Sequence, residues 1–311
     1  MKKSYIATFK AQIVLELLKE RKTLNQLADG YGIAPTVLRE ILYRKEVYMN
    51  RIKSLIVGHP IVTFFGLAFA FSWWPSLIEP HGIFPLGPFI AALFMVAMID
   101  RWNGVKVFLG RIVQWRVGMR WYALVLGLPV LLNALAVGLN MLLGAQPTPE
   151  RMPPLSNLAP FFFSVLIFIG LGEEPAWRGF GLPRLSAGRS ALVGSLLLGI
   201  LHAVWHLPLF GLEYDLQNGV PWFIGLMGYS VIMTWMYNHT NGSLLLPILF
   251  HTSVNTTAKY LFNPIFKGAD LIALWWIWGA LWVGVAVALV LVVGPSLMAE
   301  RSRMVSTPTY T

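Results

Sequence analysis

Residues 160–180 read PFFFSVLIFIGLGEEPAWRGF, so an apolar run leads directly into two adjacent glutamates and an arginine. A helix that spans a bilayer needs about 20 apolar residues. On insertion scales, one ionised side chain at the centre of such a helix costs roughly 2.5–3.5 kcal/mol. Glu173, Glu174 and Arg178 therefore need partners inside the membrane, and residues of this kind usually mark a functional site.

The composition of the whole chain is that of a membrane protein. Of its 311 residues, 56% are hydrophobic and only 12% are charged, which is too apolar for a soluble domain of this size. The chain has no cysteine, so disulfides and thiolate metal sites are excluded. A net charge of +10 is typical of nucleic-acid binding in a soluble protein, but in a membrane protein basic loops also set the orientation.

Eight apolar runs follow residue 54, separated by polar or Pro/Gly-rich breaks. They are 55–78, 83–100, 121–144, 157–182, 190–210, 220–237, 243–262 and 271–293. We therefore expect an all-α, polytopic membrane helical bundle of about eight transmembrane helices, preceded by a short soluble segment. Loop 101–120 alternates basic and apolar residues, which predicts an amphipathic helix on the inner leaflet. The positive-inside rule then places both termini in the cytoplasm of a prokaryotic inner membrane.

The first 48 residues have a different pattern. Thr23 is placed to cap a helix, the turn DGYGI follows, and Pro35 is placed to begin another helix, which together make a helix-turn-helix pattern. Residues 9–40 resemble the N-terminal DNA-binding segment of small insertion-sequence transposases. We interpret 1–48 as a fused or vestigial segment, 50–295 as the membrane domain and 296–311 as a cytoplasmic tail. A basic tail that only enforces topology is the alternative, and nucleic acid is not expected as a partner.

Helix geometry separates the roles of the two glutamates. Neighbouring side chains on a helix point about 100° apart, so Glu173 and Glu174 cannot aim at one spot. Arg178 follows Glu174 by four residues, the favourable order for an ion pair. The spacing predicts a structural Glu174–Arg178 pair and leaves Glu173 facing a cavity. Pro175 removes an amide from the helix, and the resulting kink would admit water.

Two further apolar runs carry polar residues at helical spacing. His202 and His206 share one face, and His251 and Asn255 share another. A lone membrane histidine is usually a packing residue, but three histidines, an asparagine and two glutamates in three helices favour one site. At about 1.5 Å per residue, His206 lies roughly 25 Å along its helix from Arg189. Glu173 lies only roughly 15 Å from the basic, cytoplasmic end of its helix, so the two depths do not agree. The helix boundaries between 173 and 210 are therefore left open.

Taken in order, these residues resemble the motifs of a membrane metalloprotease-like family. It includes the CAAX prenyl endopeptidases and bacteriocin-processing or self-immunity proteins, and it is often called the CPBP or Abi family. Its motifs are EExxxR, a histidine preceded four residues earlier by an aromatic residue, and HxxxN, and they match Glu173, Glu174, Arg178, His206, His251 and Asn255. The chain departs from the second motif, because His202 stands where phenylalanine is usual.

The resemblance implies an intramembrane endopeptidase that hydrolyses a peptide bond of a membrane-associated or lipidated protein or peptide. The roles it implies are Glu173 as general base, His206 as the residue that helps to hold the water, and His251 with Asn255 as donors to the oxyanion. The other residues have supporting roles: Glu174, Arg178 and His202.

The same sequence leaves other interpretations open. Glu173, His206 and His251 could instead ligate a zinc ion with an open position for water. A non-catalytic membrane immunity protein of the same fold and a membrane-tethered DNA-binding regulator are alternative functions. A transporter is disfavoured, because the helices show no internal repeat.

Overall fold

The computed structural model describes residues 23–79, 82–148, 152–211 and 215–297, and within them the chain is helical throughout its regular structure. The helices are α1 (Leu24–Tyr31), α2 (Pro35–Gly58), α3 (Pro60–Trp73), α4 (Gly87–Ile112), α5 (Met119–Leu142), α6 (Leu155–Leu185), α7 (Ala191–Trp205), α8 (Gly219–His239), α9 (Leu245–Asn255) and α10 (Gly268–Val293). The predicted all-α class is confirmed. The chain divides into two units, Met1–Pro60 and Ile61–Thr311.

In the first unit, the described residues form a helix, a tight turn and a second helix. Thr23 caps α1 in a reciprocal capping box with Gln26, and Pro35 occupies the first turn of α2, so both predicted helix starts are confirmed. Gly32 ends α1 in the left-handed conformation that glycine adopts without strain. The small core consists of Leu27, Ala28, Ile33 and Leu38. The predicted limit at residue 48 falls inside the continuous helix α2, and a separate origin of 1–48 stays a prediction.

The second unit contains the membrane helices. Within the described ranges, six helices are long and apolar enough to cross a membrane: Pro60–Leu77, Gly87–Ile112, Met119–Leu142, Leu155–Leu185, Leu216–His239 and Gly268–Val293. The two remaining predicted runs form shorter elements. Helix α7 has 15 residues, and α9 has 11 residues that continue into a π-helical segment, Thr256–Phe262. The polytopic bundle is therefore confirmed, with six candidate spans where the sequence predicted about eight.

The basic loop 101–120 is partly a continuation of α4. The helix turns at Arg101, whose φ is 57° and ψ is −157°, and then continues to Ile112. Val105 and Phe108 are buried on this final part, whereas Trp102, Lys106 and Val107 are exposed. The segment buries one face but exposes apolar as well as basic side chains on the other, and it is continuous with a membrane helix. An amphipathic helix on the inner leaflet stays a prediction.

Helix α6, which carries the two glutamates, is wound irregularly. An α-helical piece, Leu171–Glu174, lies between two π-helical segments, Leu166–Gly170 and Pro175–Gly181. Pro175 has no N–H to donate to the preceding turn, so the regular ladder of hydrogen bonds is interrupted directly after the glutamates. The structure shows π-helical winding at Pro175 where the sequence predicted a kink, and π-helical turns occur frequently at functional sites.

Two glycines bring α6 close to its neighbours. A Cβ atom on Gly170 would lie 2.8 Å from the Ile248 carbonyl oxygen of α9, and one on Gly172 would lie 2.7 Å from the Pro85 carbonyl oxygen. Small residues allow membrane helices to approach in this way. The approach places the Glu173–Glu174 pair directly against α9.

Candidate active site

Glu173 is held by two donors on the same oxygen. The indole Nε1 of Trp177 donates to Oε2 over 3.2 Å, and Nε2 of His202 lies 2.8 Å from Oε2. An ionised carboxylate only accepts hydrogen bonds, so in that state His202 is the donor. The side chain is 1% exposed and lines a cavity of about 200 Å³. Oε2 is therefore fixed, and Oε1 is the oxygen left for a molecule in the cavity.

Glu174 forms a buried network of its own. Its Oε2 lies 2.8 Å from the Arg178 guanidinium, and its Oε1 lies 2.6 Å from Nδ1 of His251. The Arg178 guanidinium also lies 5.6 Å from the centre of the Tyr229 ring. The predicted Glu174–Arg178 ion pair is present, whereas the bond to His251 was not predicted.

The two adjacent carboxylates thus reach different helices. Glu173 bonds to His202 on α7, and Glu174 bonds to His251 on α9. The divergence expected from helix geometry is present in the structure. Because each carboxylate has its own set of partners, the two are not competing for the same histidine.

His206 lies at the end of α7 and lines the larger cavity together with Glu173. Helix α7 ends at Trp205, and His206 forms its C-cap. Nδ1 of His206 lies 2.9 Å from the His202 carbonyl oxygen, and a carbonyl can only accept, so Nδ1 donates. The sequence analysis placed His202 in a supporting role, but in the structure His202 contacts Glu173 directly. The rings of His202 and His206 are neighbours, with centres 4.8 Å apart.

His251 and Asn255 lie together on α9, as their spacing predicts. Asn255 Nδ2 donates to the His251 carbonyl oxygen over 3.3 Å. A carboxamide nitrogen carries two hydrogens, so one remains for a ligand. Both side chains line the 200 Å³ cavity and also a smaller one of about 60 Å³.

The two cavities meet at four residues. These are His206, His251, Asn255 and Lys259. The first three are the predicted water-holding and oxyanion-binding residues, so the structure brings them to one junction. Lys259 was not singled out in the sequence analysis.

The residues that could hold a metal differ from the predicted set. One ligand atom each from Glu173, His202 and His206 lie within 4.8 Å of one another, and all three residues are buried. A carboxylate oxygen and two imidazole nitrogens are donors that zinc accepts. The predicted set contained His251 in place of His202. In the structure, Nδ1 of His251 is bonded to Glu174.

Two aromatic residues of the site were missed at the sequence level. Trp177 donates to Glu173, and its position four residues after Glu173 on the same helix was a usable signal. The rings of Tyr229 and His251 meet edge to face, with centres 5.9 Å apart. Tyr229 is on α8, and no local spacing in the sequence links it to the motifs.

Residues 155–257 match the sequence profile described as type II CAAX prenyl endopeptidase Rce1-like. This segment is therefore similar to the domain of type II CAAX prenyl endopeptidases. The matched segment contains every predicted site residue from Glu173 to Asn255, and it ends before Lys259. The chain is also 25% identical over 189 residues to CAAX prenyl protease 2 of Methanococcus maripaludis, a match that covers 57% of this chain and 70% of that protein. Both matches support an intramembrane endopeptidase at the level of the family, and the apolar helices support an integral membrane protein. The transposase-like resemblance of the N-terminal segment stays a prediction.

Proposed function

We propose that the chain is an intramembrane endopeptidase in which Glu173 activates a water that attacks a peptide bond. One observation carries the proposal: the buried Glu173 carboxylate is fixed through Oε2 and faces a cavity of about 200 Å³. A general base has to be held within hydrogen-bond reach of the proton that it removes. Fixing one oxygen from two sides orients the other towards the cavity.

His206 is the second group that holds the water. Its Nδ1 donates to a backbone carbonyl, so in the neutral ring Nε2 carries a lone pair that can accept a hydrogen bond from water. His206 and Glu173 both line the larger cavity. A water between them gives up one proton to Glu173 while His206 keeps it oriented.

His251 and Asn255 stabilise the oxyanion that forms on the attacked carbonyl. Asn255 supplies the second hydrogen of its amide, and His251 supplies Nε2–H when its ring is protonated. Glu174 and Arg178 act as positioning residues, because they hold His251 without touching the substrate.

A zinc-dependent version uses the same place. Glu173, His202 and His206 would hold the ion, and bound zinc supplies an acidic water and polarises a carbonyl. The fit rests on their close ligand atoms. His206 also satisfies a common requirement of metal-bound histidine, since its other ring nitrogen donates to a carbonyl. Activity of a sample shown to be metal-free would exclude this version.

We further propose that the substrate is a lipidated protein or peptide, with a prenylated C-terminal peptide as the first class to test. The matched profile and the archaeal relative are both named for CAAX prenyl substrates. The orientation that we propose is the one given by the basic loops, with both termini on the cytoplasmic side of a prokaryotic inner membrane.

The test is cleavage of an S-farnesylated, fluorescence-quenched peptide by the purified full chain in lipid vesicles. We expect cleavage by the wild type and a loss of about 10²–10⁴-fold in kcat for Glu173→Gln, the range for removal of a general base. Glu79→Gln is the matched control, since Glu79 is exposed. Cleavage by Glu173→Gln at the wild-type rate would exclude Glu173 as the general base, and no cleavage by either chain would favour the non-catalytic alternative. A membrane-proteome comparison of wild-type and Glu173→Gln cells, scored for uncleaved proteins, tests substrates outside this class.

A further inference from the structure

The basic loop 101–120 carries five basic side chains and no acidic one. It comprises the last part of α4, the connection that follows and the first two residues of α5, so it joins two candidate membrane spans. Arg111 is partly buried, whereas the other four basic residues are exposed: Arg101, Lys106, Arg116 and Arg120. No step of the proposed hydrolysis uses them.

Three of the exposed cations lie against indole rings of the same loop or the start of α5. The distances from cation to ring centre are 5.9 Å for Lys106 and Trp102, 5.3 Å for Arg116 and Trp115, and 5.3 Å for Arg120 and Trp121. A ring contact holds the cation and leaves N–H donors for an oxygen acceptor. Within the described ranges, none of the three cations forms an ion pair with a carboxylate. The loop therefore presents positive charge that no acidic side chain of these ranges offsets.

Large apolar side chains are exposed among these cations. They are Trp102, Val107, Val113, Trp115 and Met119. The headgroup layer of a membrane accommodates both kinds of side chain, because indole rings favour that depth and anionic lipids attract lysine and arginine. A nucleic acid or a free anion would contact the cations and leave the apolar side chains in water. The combination therefore fits a lipid surface.

The basic loop is also bonded to the turn that connects α8 to α9. Nε of Arg111 donates to the Gly242 carbonyl oxygen over 2.9 Å, and the Leu244 amide donates to the Arg111 carbonyl oxygen over 2.9 Å. Nε2 of Gln114 donates to the Thr240 carbonyl oxygen over 3.2 Å. Helix α9 carries the predicted oxyanion-binding residues, so direct hydrogen bonds link the basic loop to the helix that forms one side of the site.

We propose that the basic loop binds the headgroups of anionic phospholipids and that bound lipid steadies the start of α9. A phosphate on the exposed cations forms charge-assisted hydrogen bonds, and arginine can form two to one phosphate. A loop held in this way holds the turn before α9 through Arg111 and Gln114. The anionic composition of the membrane thereby regulates the order of the site. Lipid binding itself does not depend on the proposed hydrolysis.

The first experiment measures lipid affinity by mass spectrometry of the intact full chain in detergent. The chain is titrated with phosphatidylglycerol or with phosphatidylcholine of the same acyl chains. We expect the wild type to bind phosphatidylglycerol more tightly, and Arg116→Gln to weaken that binding about fivefold, the contribution of one basic residue at an anionic surface. Arg116→Lys should keep the preference. Lys267→Gln is the matched control, since Lys267 is exposed and lies outside the loop.

Three results would overturn lipid binding by the loop. They are equal affinity for the two lipids, an equal loss in Arg116→Gln and Lys267→Gln, and displacement of phosphatidylglycerol by inorganic phosphate at an equal concentration. The last result would identify a site for free phosphate, because the acyl chains would then add nothing to the affinity.

The second experiment measures hydrogen exchange of residues 240–255 in vesicles of phosphatidylcholine alone or mixed in equal parts with phosphatidylglycerol. We expect slower exchange in the mixed vesicles, because local opening becomes less favourable when the turn is held. Replacing Lys106, Arg116 and Arg120 together by Gln should remove most of the difference. Equal exchange of the wild type in the two vesicles would overturn the link to α9. Neither experiment requires cleavage, so failure of the proposed hydrolysis would leave both results interpretable.

Discussion

Oε1 of Glu174 lies 2.6 Å from Nδ1 of His251, and this contact joins α6 to α9. The same carboxylate lies 2.8 Å from the Arg178 guanidinium. Glu174 and Arg178 are fully buried, so one carboxylate neutralises a buried cation and also orients a histidine of the junction. The stability of the bundle and the geometry of the site therefore depend on the same side chain.

Replacing Glu174 by Gln should destabilise the protein more than replacing Glu173 by Gln. The change leaves the buried Arg178 without a counter-charge, for which we expect a loss of about 3–5 kcal/mol in the free energy of unfolding. Glu173 has no arginine partner among the described contacts, so its amide variant should lose less. Denaturant unfolding of both variants in the same detergent measures the difference.

A double variant checks the cause of this loss. Replacing Arg178 by Met in the Glu174→Gln background removes the unpaired cation and should recover part of the lost stability. If the double variant loses as much free energy of unfolding as Glu174→Gln and Arg178→Met lose together, the broken ion pair does not explain the instability of Glu174→Gln.

Replacing His202 by Phe should lower kcat about tenfold and leave KM nearly unchanged. The ring volume is kept, but the 2.8 Å bond that fixes Oε2 of Glu173 is lost, and a hydrogen bond to a charged group accounts for an effect of this order. Trp177 keeps its bond to the same oxygen. Steady-state kinetics on the farnesylated peptide separate kcat from KM. A change confined to KM would show that His202 does not position the base.

Zinc binding should depend on His202 and not on His251. The close ligand atoms belong to Glu173, His202 and His206, and Nδ1 of His251 is bonded to Glu174. If the zinc-dependent version holds, dialysis against zinc and then buffer should leave equimolar metal in the wild type and in His251→Ala, and less metal in His202→Phe. Elemental analysis provides the measurement. The opposite pattern would favour the set predicted from the sequence, Glu173, His206 and His251.

Adding a methyl group at Gly170 should disturb the site, because its Cβ would lie 2.8 Å from the Ile248 carbonyl oxygen. We expect Gly170→Ala to cost about 1–3 kcal/mol in the free energy of unfolding, as overpacking does, and to lower activity by moving α6 away from α9. Gly127→Ala in α5 is the matched control, since its Cβ would meet no atom within 4 Å, and it should be neutral or stabilising by up to about 1 kcal/mol. Equal unfolding free energies for the two variants would contradict this account of the packing.

The features that local spacing determines were predictable from the sequence. The Glu174–Arg178 ion pair follows from a separation of four residues on one helix. The cap at Thr23 and the helix start at Pro35 follow from the side chains themselves. The membrane character of the bundle follows from composition and the lengths of the apolar runs.

The pairing between helices was not predictable in the same way. His202 and His206 share a face of α7, so periodicity alone could not show which of them reaches Glu173. The rise per residue contained a clue. It places His202 about 20 Å and His206 roughly 25 Å along the helix from Arg189. His202 is therefore nearer to the depth of roughly 15 Å inferred for Glu173. The end of α7 at Trp205 and the bond between Glu174 and His251 depend on tertiary packing. No spacing within one helix reports either feature.

The π-helical segments of α6 allow the number of residues in the chain to change without turning the site. Each π turn accommodates a residue more than an α turn does, so it can be regarded as a single insertion that the helix absorbs. Deleting one residue from Leu166–Gly170 would restore regular winding and leave the two flanking parts in nearly the same relative orientation. A homologous chain one residue shorter at this point would therefore keep Glu173 and Glu174 facing His202 and His251. The same deletion in a regular α-helix would rotate the two glutamates by about 100°.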